Sequence, residues 1–428
     1  MRHIIKRPRR LEGSLSLPGD KSISHRSLIM NAMAKGTARV TGLSQGQDVV
    51  ATRRCLQNLG VKIESTDGLR EVVVYGREGE LEESSAILDA ANSGTTMRLM
   101  SGLLASQAFL SVLTGDDSLR SRPMGRVVQP LSQMGASIMG RKGDTLAPLA
   151  IRGGGLKGIE YKMTVASAQV KSCIILAGLR ASGETVIHQP SLSRDHTERM
   201  LQAMGAPVVE DGLTLTVRPG RPKAVDVNVP GDVSAAAFWM VAASCHSDAQ
   251  LRLLNVGMNP GRTGILEVMR SMGAKIKAEN ERLEGGEPVA DLVVEPSRLE
   301  ATEVGGDVIP RVLDEIPVLA VAACFAKGTT VIKDAEELRV KESDRIKTTV
   351  RELSRMGASI EERADGMVIH GTGRLKGGVG RSYGDHRLAM ALGVVGLIGG
   401  GEVTVQGAES ASVSYPEFWE HLNSVIKN

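Results

Sequence analysis

Leu131-Ser-Gln-Met-Gly-Ala-Ser-Ile138 holds a helix end, a reversal and a strand start in one short phrase. Near copies stand at Leu56-Gln-Asn-Leu-Gly-Val-Lys-Ile63, Leu201-Gln-Ala-Met-Gly-Ala-Pro-Val208, Met269-Arg-Ser-Met-Gly-Ala-Lys-Ile276 and Leu353-Ser-Arg-Met-Gly-Ala-Ser-Ile360. Each has apolar residues at helical spacing, a Gly suited to the left-handed position after a helix, then the first residues of a strand. The glycines Gly60, Gly135, Gly205, Gly273 and Gly357 are 75, 70, 68 and 84 residues apart. A sixth helix at Pro416-Glu-Phe-Trp-Glu-His-Leu422 runs out at the C-terminus without its strand.

Upstream of each such helix lies another stretch, small-residue-rich and apolar nearly all round, which reads as a buried helix. These begin near Ser22, Asn92, Ser167, Asp232, Asp314 and Asp385. The chain is therefore six α/β units, each with one exposed and one buried helix and strands between them. Pro18-Gly-Asp20 recurs as Pro230-Gly-Asp232, 212 residues later. Each copy ends a strand and opens a buried helix, so we take the pair as two crossings, near 18–20 and 230–232, between two halves of three units. Residues 1–17 with 232–428 form lobe I, and 18–231 form lobe II. Units of this size exceed common solenoid repeats, which favours two compact lobes over a continuous array.

At 428 residues the chain can fill two or three ordinary cores. A net charge of +3 is too weak to imply nucleic acid, and aromatic residues at 2% leave little for a base-stacking platform. No apolar run reaches membrane-spanning length, and the N-terminus lacks a signal-peptide core. Cys55, Cys173, Cys245 and Cys324 are scattered without a Cys-x-x-Cys pair, which fits reduced thiols in a cytoplasm.

The polar residues able to do chemistry gather at the starts of the buried helices. Pro18-Gly-Asp-Lys-Ser-Ile-Ser-His-Arg26 places Lys21 and Ser22 where a strand gives way to a helix, with Arg26 one turn on. Free N–H groups and the positive dipole end make such a start an anion receptor, although a solvated cap satisfies that stretch alone. Asn92-Ser-Gly-Thr-Thr-Met-Arg98 is a hydroxyl-rich cap in which Gly94 lets a ligand approach the backbone, while Ser93 and Thr95 read as ordinary capping residues. Ser167-Ala-Gln-Val-Lys171 supplies a cap and Gln169. Pro310-Arg-Val-Leu-Asp-Glu-Ile-Pro317 sets Asp314 before a helix primed by proline, and Asp385-His-Arg387 opens the last buried helix. Ser121-Arg-Pro-Met-Gly-Arg126, Ser193-Arg-Asp-His-Thr-Glu198 and Arg339-Val-Lys-Glu-Ser-Asp-Arg345 add further charge.

Lys21, Arg26, Arg122, Arg194, Lys341, Arg345 and Arg387 are thus set against the proton carriers Asp314, Glu342 and His386. Such a set suits a pair of polyanionic small molecules. No Walker-type phosphate loop occurs, and neither zinc spacing nor an acidic cage is present, so spacing alone implies anion binding without a metal and names no reaction.

Taken in order, these motifs resemble the 5-enolpyruvylshikimate-3-phosphate (EPSP) synthase family, and Ser167-Ala-Gln169 with Ser193-Arg-Asp-His-Thr-Glu198 look like its class II bacterial branch. The resemblance spans the chain from Leu17-Pro-Gly-Asp-Lys-Ser22 to Tyr415-Pro-Glu-Phe418. It implies a fold of two lobes, each of three βαβαββ units, with the N-termini of buried helices facing an interlobe cleft. The implied reaction moves the enolpyruvyl group of phosphoenolpyruvate onto the 5-hydroxyl of shikimate 3-phosphate and releases phosphate. It also implies a cytoplasmic monomer that uses no cofactor and no metal, and binds neither nucleic acid nor membrane.

Carried over by motif, Lys21, Ser22, Arg26, Ser167, Ala168, Gln169, Arg194, Asp314 and Lys341 match contacts to shikimate 3-phosphate. Lys21, Gly94, Arg122, Gln169, Arg345 and Arg387 match contacts to phosphoenolpyruvate. Asp314 matches the group beside the attacking hydroxyl, Glu342 the handler of the methylene proton, and Lys21 a third catalytic group. Many members carry a lysine where this chain has Val413, so one phosphoenolpyruvate contact of the family pattern has no match here. The nearest rival of the same fold, UDP-N-acetylglucosamine enolpyruvyl transferase, usually has a reactive cysteine that Gly115-Asp-Asp-Ser-Leu-Arg-Ser-Arg-Pro123 lacks. An RNA-phosphate-binding module is the alternative of another class, opposed by sparse aromatics and near-neutral charge.

Overall fold

The computed structural model describes residues 1–67 and 70–427. The apolar, small-residue stretches fold as buried helices, each followed by an amphipathic one. In chain order they are α1 (Lys21–Met33), α2 (Gln47–Asn58), α3 (Gly94–Ala105), α4 (Gly125–Gln133), α5 (Ala168–Gly178) and α6 (His196–Ala203). The series continues with α7 (Val233–Cys245), α8 (Gly264–Ser271), α9 (Ile316–Phe325), α10 (Arg345–Arg355), α11 (His386–Ile398) and α12 (Phe418–Val425). The odd-numbered helices are buried nearly all round: in α7 every residue from Val233 to Ser244 is buried. The even-numbered ones bury one stripe, as α10 does with Ile346, Thr349 and Leu353.

Behind five of the amphipathic helices the chain reverses at the glycines singled out above. Gly60, Gly135, Gly205, Gly273 and Gly357 have φ of +80°, +105°, +71°, +90° and +90°, a backbone that costs other residues strain.

Among the described residues there are six sheets, and four of them share one pairing pattern. Leu88–Asp89 runs parallel to Leu110–Thr114, which is antiparallel to Leu146–Arg152, itself antiparallel to Ser137–Gly140. The same order recurs from Val227–Asn228 through Thr37–Thr41 and Glu71–Tyr75 to Ile63–Asp67. It recurs from Glu160–Lys162 and from Glu303–Val304.

The chain ends complete the other two sheets. Arg2–Ile5 pairs antiparallel with Val403–Gln406, and Arg10–Ser16 runs parallel to Ala249–Gly257. The sixth amphipathic helix does not lack its strand, contrary to the sequence expectation: Ile426–Lys427 pairs antiparallel with Arg10–Ser16. That strand had an edge open to pairing, and the last residues of the chain satisfy its backbone.

Unit 1 comprises Met1–Pro18, Pro230–Leu283 and Pro288–Asn428; unit 2 comprises Gly19–Val229 and Glu284–Glu287. The short segment Glu284–Glu287 departs from the sequence-based boundary, which leaves it in lobe I. Within unit 2 its Glu287 carboxylate meets the buried His196 Nδ1 at 2.8 Å. Each unit has its own apolar core. In unit 1 the core is finished by an aromatic cluster of Phe238, Trp239, Tyr415 and Phe418. No helix among the described residues is long and apolar enough to cross a membrane.

In unit 2, α3 and α5 pack backbone against backbone at Gly102. A Cβ there would lie 2.2 Å from the Cys173 carbonyl oxygen. Gly102→Val should therefore force the two helices apart and cost about 1–3 kcal/mol. Thermal melts should show a midpoint lowered by several degrees, and a midpoint matching the parent would mean the contact yields freely.

Candidate active site

Three buried helices of unit 2 begin with capped, cation-bearing turns. Asp20 caps α1 by accepting from the Ile23 amide at 2.9 Å, Ser93 caps α3 through Thr96 at 3.1 Å, and Ser167 caps α5 through Val170 at 3.4 Å. These caps satisfy part of each first turn and leave other amides and the dipole for an anion.

Side chains knit the three starts together. Arg26, 2% exposed, donates from Nε to Thr197 Oγ1 at 2.7 Å, from Nη1 to the Ser22 carbonyl at 2.9 Å and from Nη2 to Ser172 Oγ at 2.8 Å. Ser172 Oγ in turn donates to the Ala168 carbonyl at 2.6 Å, which ties α1 to the first turn of α5. Gln169 links α5 to α3: its Nε2 donates to Thr95 Oγ1 at 2.8 Å, and its Oε1 accepts from Arg98 at 2.5 Å. Lys21 is held by Asp48 at 3.0 Å.

Gly94 has no positive φ to explain it; the reason is space. A Cβ on Gly94 would sit 2.8 Å from Arg98 Nη1 and 3.5 Å from Arg122 Nη1. Arg122, buried, donates to Asn92 Oδ1 at 2.7 Å. The structure thus brings Lys21, Ser22, Arg26, Gly94, Arg122, Ser167, Ala168 and Gln169 into one hydrogen-bonded neighbourhood of unit 2. Arg194 belongs with them electrostatically, because its charge acts on Arg26. Its loop is held where the fully buried Lys171 meets Glu198 at 2.5 Å and the Ser193 carbonyl at 3.4 Å.

Burial lowers the Arg26 guanidinium to about 10; Glu198 and Asp20 oppose that shift and Arg194 adds to it. The group stays charged at neutral pH, yet the partners that bond it directly are neutral, two hydroxyls and a carbonyl. A phosphate would supply a charged one.

In unit 1 the organising group is Arg345 at the start of α10, 2% exposed. Its Nε donates to Asp385 Oδ2 at 2.8 Å, its Nη2 to Glu342 Oε2 at 2.6 Å and its Nη1 to Asp314 Oδ1 at 3.3 Å. Burial alone would lower this guanidinium, but Asp385, Glu342 and Asp314 outweigh it and hold the group above its usual value. Two of the three proton carriers picked from the sequence, Asp314 and Glu342, therefore share one cation.

Asp385 also caps α11, accepting from the Arg387 amide at 2.9 Å. The Arg387 side chain is 4% exposed and makes no hydrogen bond or ion pair among the described residues, and its Nε is fully buried. A desolvated, uncompensated guanidinium at a helix N-terminus is costly unless an anion visits it. Lys341 stands apart, half-buried, 3.5 Å from Glu337. His386 is buried as the first residue of α11. Val413 ends a short 3₁₀ turn, Ala408–Val413, and offers no charge.

Four functional neighbours escaped the sequence: Asp48, Arg98, Asp385 and Arg262. Arg98 and Asp385 stand inside the motifs Asn92–Arg98 and Asp385–Arg387, with no role of their own read from the sequence. Arg262 follows Asn259-Pro-Gly261, a turn signal whose only charged residue it is.

The repeated sheet-and-helix unit with its capped buried helices defines an enolpyruvyl transferase fold. The enolpyruvyl transferase NikO from Streptomyces tendae superposes with a TM-score of 0.80 over 99% of this chain and 96% of its own, at 16% identity. The chain belongs to the EPSP synthase (3-phosphoshikimate 1-carboxyvinyltransferase) family, whose model matches residues 5–422. The 3-phosphoshikimate 1-carboxyvinyltransferase of Herpetosiphon aurantiacus is 51% identical, covering 99% of both chains. EPSP synthase from Acinetobacter baumannii has a TM-score of 0.88 at 42% identity, covering 99% of this chain and 98% of its own.

His25 offers a test of the dry interior beneath α1. It is fully buried, and its Nδ1 shares a 2.7 Å hydrogen bond with Thr52 Oγ1. Burial first, then Lys21 and Arg26, hold its imidazole well below the usual value. Below pH 6.5 the unfolded chain binds a proton that the folded one refuses, so this group erodes stability by up to about 1.4 kcal/mol per pH unit. Denaturant melts between pH 7 and 5 should show His25→Gln losing that part of the slope. Equal slopes in both proteins would mean His25 protonates in place.

Proposed function

We propose that this chain is a transferase of aromatic amino-acid biosynthesis that moves the enolpyruvyl group of phosphoenolpyruvate to the 5-hydroxyl of shikimate 3-phosphate, releasing phosphate. The observation that carries the mechanism is the sharing of Arg345 by Asp314 and Glu342. One buried cation holds two carboxylates ready, and addition followed by elimination needs two proton carriers.

In this reading Glu342 delivers a proton to the methylene carbon of phosphoenolpyruvate, leaving the neighbouring carbon electron-poor. The 5-hydroxyl oxygen bonds to that carbon while Asp314 takes the hydroxyl proton, giving a tetrahedral intermediate. Elimination reverses the roles: Glu342 recovers a methyl proton, the double bond re-forms, and phosphate leaves with the electron pair of its C–O bond. Lys21 and the arginines stabilise charge on the departing phosphate.

Lys21, Ser22, Arg26, Ser167, Ala168, Gln169, Arg194, Asp314 and Lys341 take shikimate 3-phosphate. Lys21, Gly94, Arg122, Gln169, Arg345 and Arg387 take phosphoenolpyruvate. The pairing of Arg26 with a phosphate, and of Arg387 with a carboxylate or phosphate, rests on guanidiniums that no carboxylate bonds directly among the described residues. The chain crosses between the two units near 18–20 and 230–232. The enzyme acts as a cytoplasmic monomer, without metal or organic cofactor and without a nucleic-acid or membrane partner.

Purified protein given both substrates should release inorganic phosphate at a steady rate, and neither substrate alone should support it. Lys21→Ala should lower that rate by at least about a hundredfold, the scale of one lost charge-stabilising group. Release independent of shikimate 3-phosphate would reject the reaction, and a near-parental K21A rate would reject the role of Lys21.

A further inference from the structure

Asp314 is gripped from two sides. Its Oδ1 accepts from Arg345 Nη1 at 3.3 Å, and its Oδ2 lies 3.8 Å from Nη1 of a second buried arginine, Arg262. Arg262 is 3% exposed and follows a turn in which the Gly261 amide donates to Asn259 Oδ1 at 2.8 Å and the Arg262 amide to the Asn259 carbonyl at 2.8 Å. Its Nη2 is anchored to Asp232 Oδ1 at 3.0 Å and to Ser234 Oγ at 2.5 Å. Asp232 cannot swing, because the same oxygen caps α7 by accepting from the Ser234 amide at 2.8 Å. Ser234 Oγ donates onward to Glu315, the residue beside Asp314.

We propose that Arg262 is a positioning residue for the reaction, holding the Asp314 carboxylate in one orientation and in its ionised form so that it can take the hydroxyl proton. The inference rests on the reading of Asp314 as the group beside the attacking hydroxyl. Arg345 alone cannot do this work, since Asp385 and Glu342 compete for the same guanidinium. A cation faces each oxygen, Arg345 through a hydrogen bond and Arg262 through a 3.8 Å ion pair, and each cation is tied to the N-cap of a buried helix: Arg262 to Asp232 of α7 and Arg345 to Asp385 of α11.

The charged groups around Asp314 are Arg262 from the loop before α8, Arg345 from α10, and Glu315 on its own turn. Asp232, Asp385 and Glu342 lie one contact further away, and Arg311, on the preceding turn, is occupied by Glu267 at 2.7 Å. Arg262→Gln removes one of the two nearby cations, and a carboxylate that loses a cation protonates at higher pH.

Turnover should fall about tenfold or more in R262Q, while KM for either substrate stays within about twofold, because the loss is in a proton-transfer step rather than in binding. The acid limb of the kcat–pH profile should move up by about one pH unit, and Arg262→Lys should return it most of the way. The substrates' own ionisations are common to all variants. Ser234→Ala, which loosens the Arg262 anchor, should move the limb the same way by less, and it serves with R262K if R262Q does not fold.

Asp314→Asn separates the two readings. If D314N abolishes turnover while the limb stays at its parental pH in folded R262Q, or in R262K and S234A, Arg262 has only a structural role. If D314N keeps both turnover and the limb, the Asp314 assignment falls and this inference with it.

Discussion

A helix buried along its whole length must still satisfy its first amides, and this constraint organises the molecule. The odd-numbered helices are packed away from solvent for most of their length, so their starts are where polar groups are obliged to collect. Asp20, Ser93, Ser167, Asp232 and Asp385 answer the need locally, each accepting from an amide two or three residues on. Once an aspartate is pinned as a cap, its second oxygen or remaining lone pairs become a fixed anchor for an arginine. Asp232 holds Arg262 and Asp385 holds Arg345 in this way.

The two units use their cations differently. In unit 1, Arg345 is saturated with carboxylates, which raises its proton affinity and makes it a scaffold for Asp314 and Glu342. Arg387, a neighbour on the same cap, has no such partner among the described residues and is left to receive. In unit 2, Arg26 is bound by hydroxyls and a carbonyl, which orient a guanidinium without neutralising it. Orientation by neutral groups is the cheaper way to keep a buried cation available, since a carboxylate partner would compete with the ligand.

The glycines divide along the same line. Those after the amphipathic helices are required by positive φ and repeat with the unit. The second kind is Gly102, whose φ is ordinary and which is required by the Cys173 carbonyl opposite it, while Gly94 leaves room for the guanidinium ends of Arg98 and Arg122. Sequence spacing reveals the first kind, because the reversal is local. The second kind is invisible until the neighbouring helix is in place.

Periodicity, capping chemistry and repeated phrases were enough to count six units, separate buried from exposed helices, and locate the cations at helix starts. All of these are set by residues within a few positions of one another. The strand at Ile426–Lys427 was missed because its partner, Arg10–Ser16, lies at the other end of the chain. Which side chain meets which arginine was equally out of reach: Arg26 and Thr197 are 171 positions apart, and Arg345 and Asp385 are 40 apart. Such pairings depend on how whole helices pack, and no local signal records them. The sequence alone therefore determined the repeating architecture and the kinds of charge available. Tertiary packing alone decided that Asp314 stands between two arginines, because only the folded core sets distances between remote side chains.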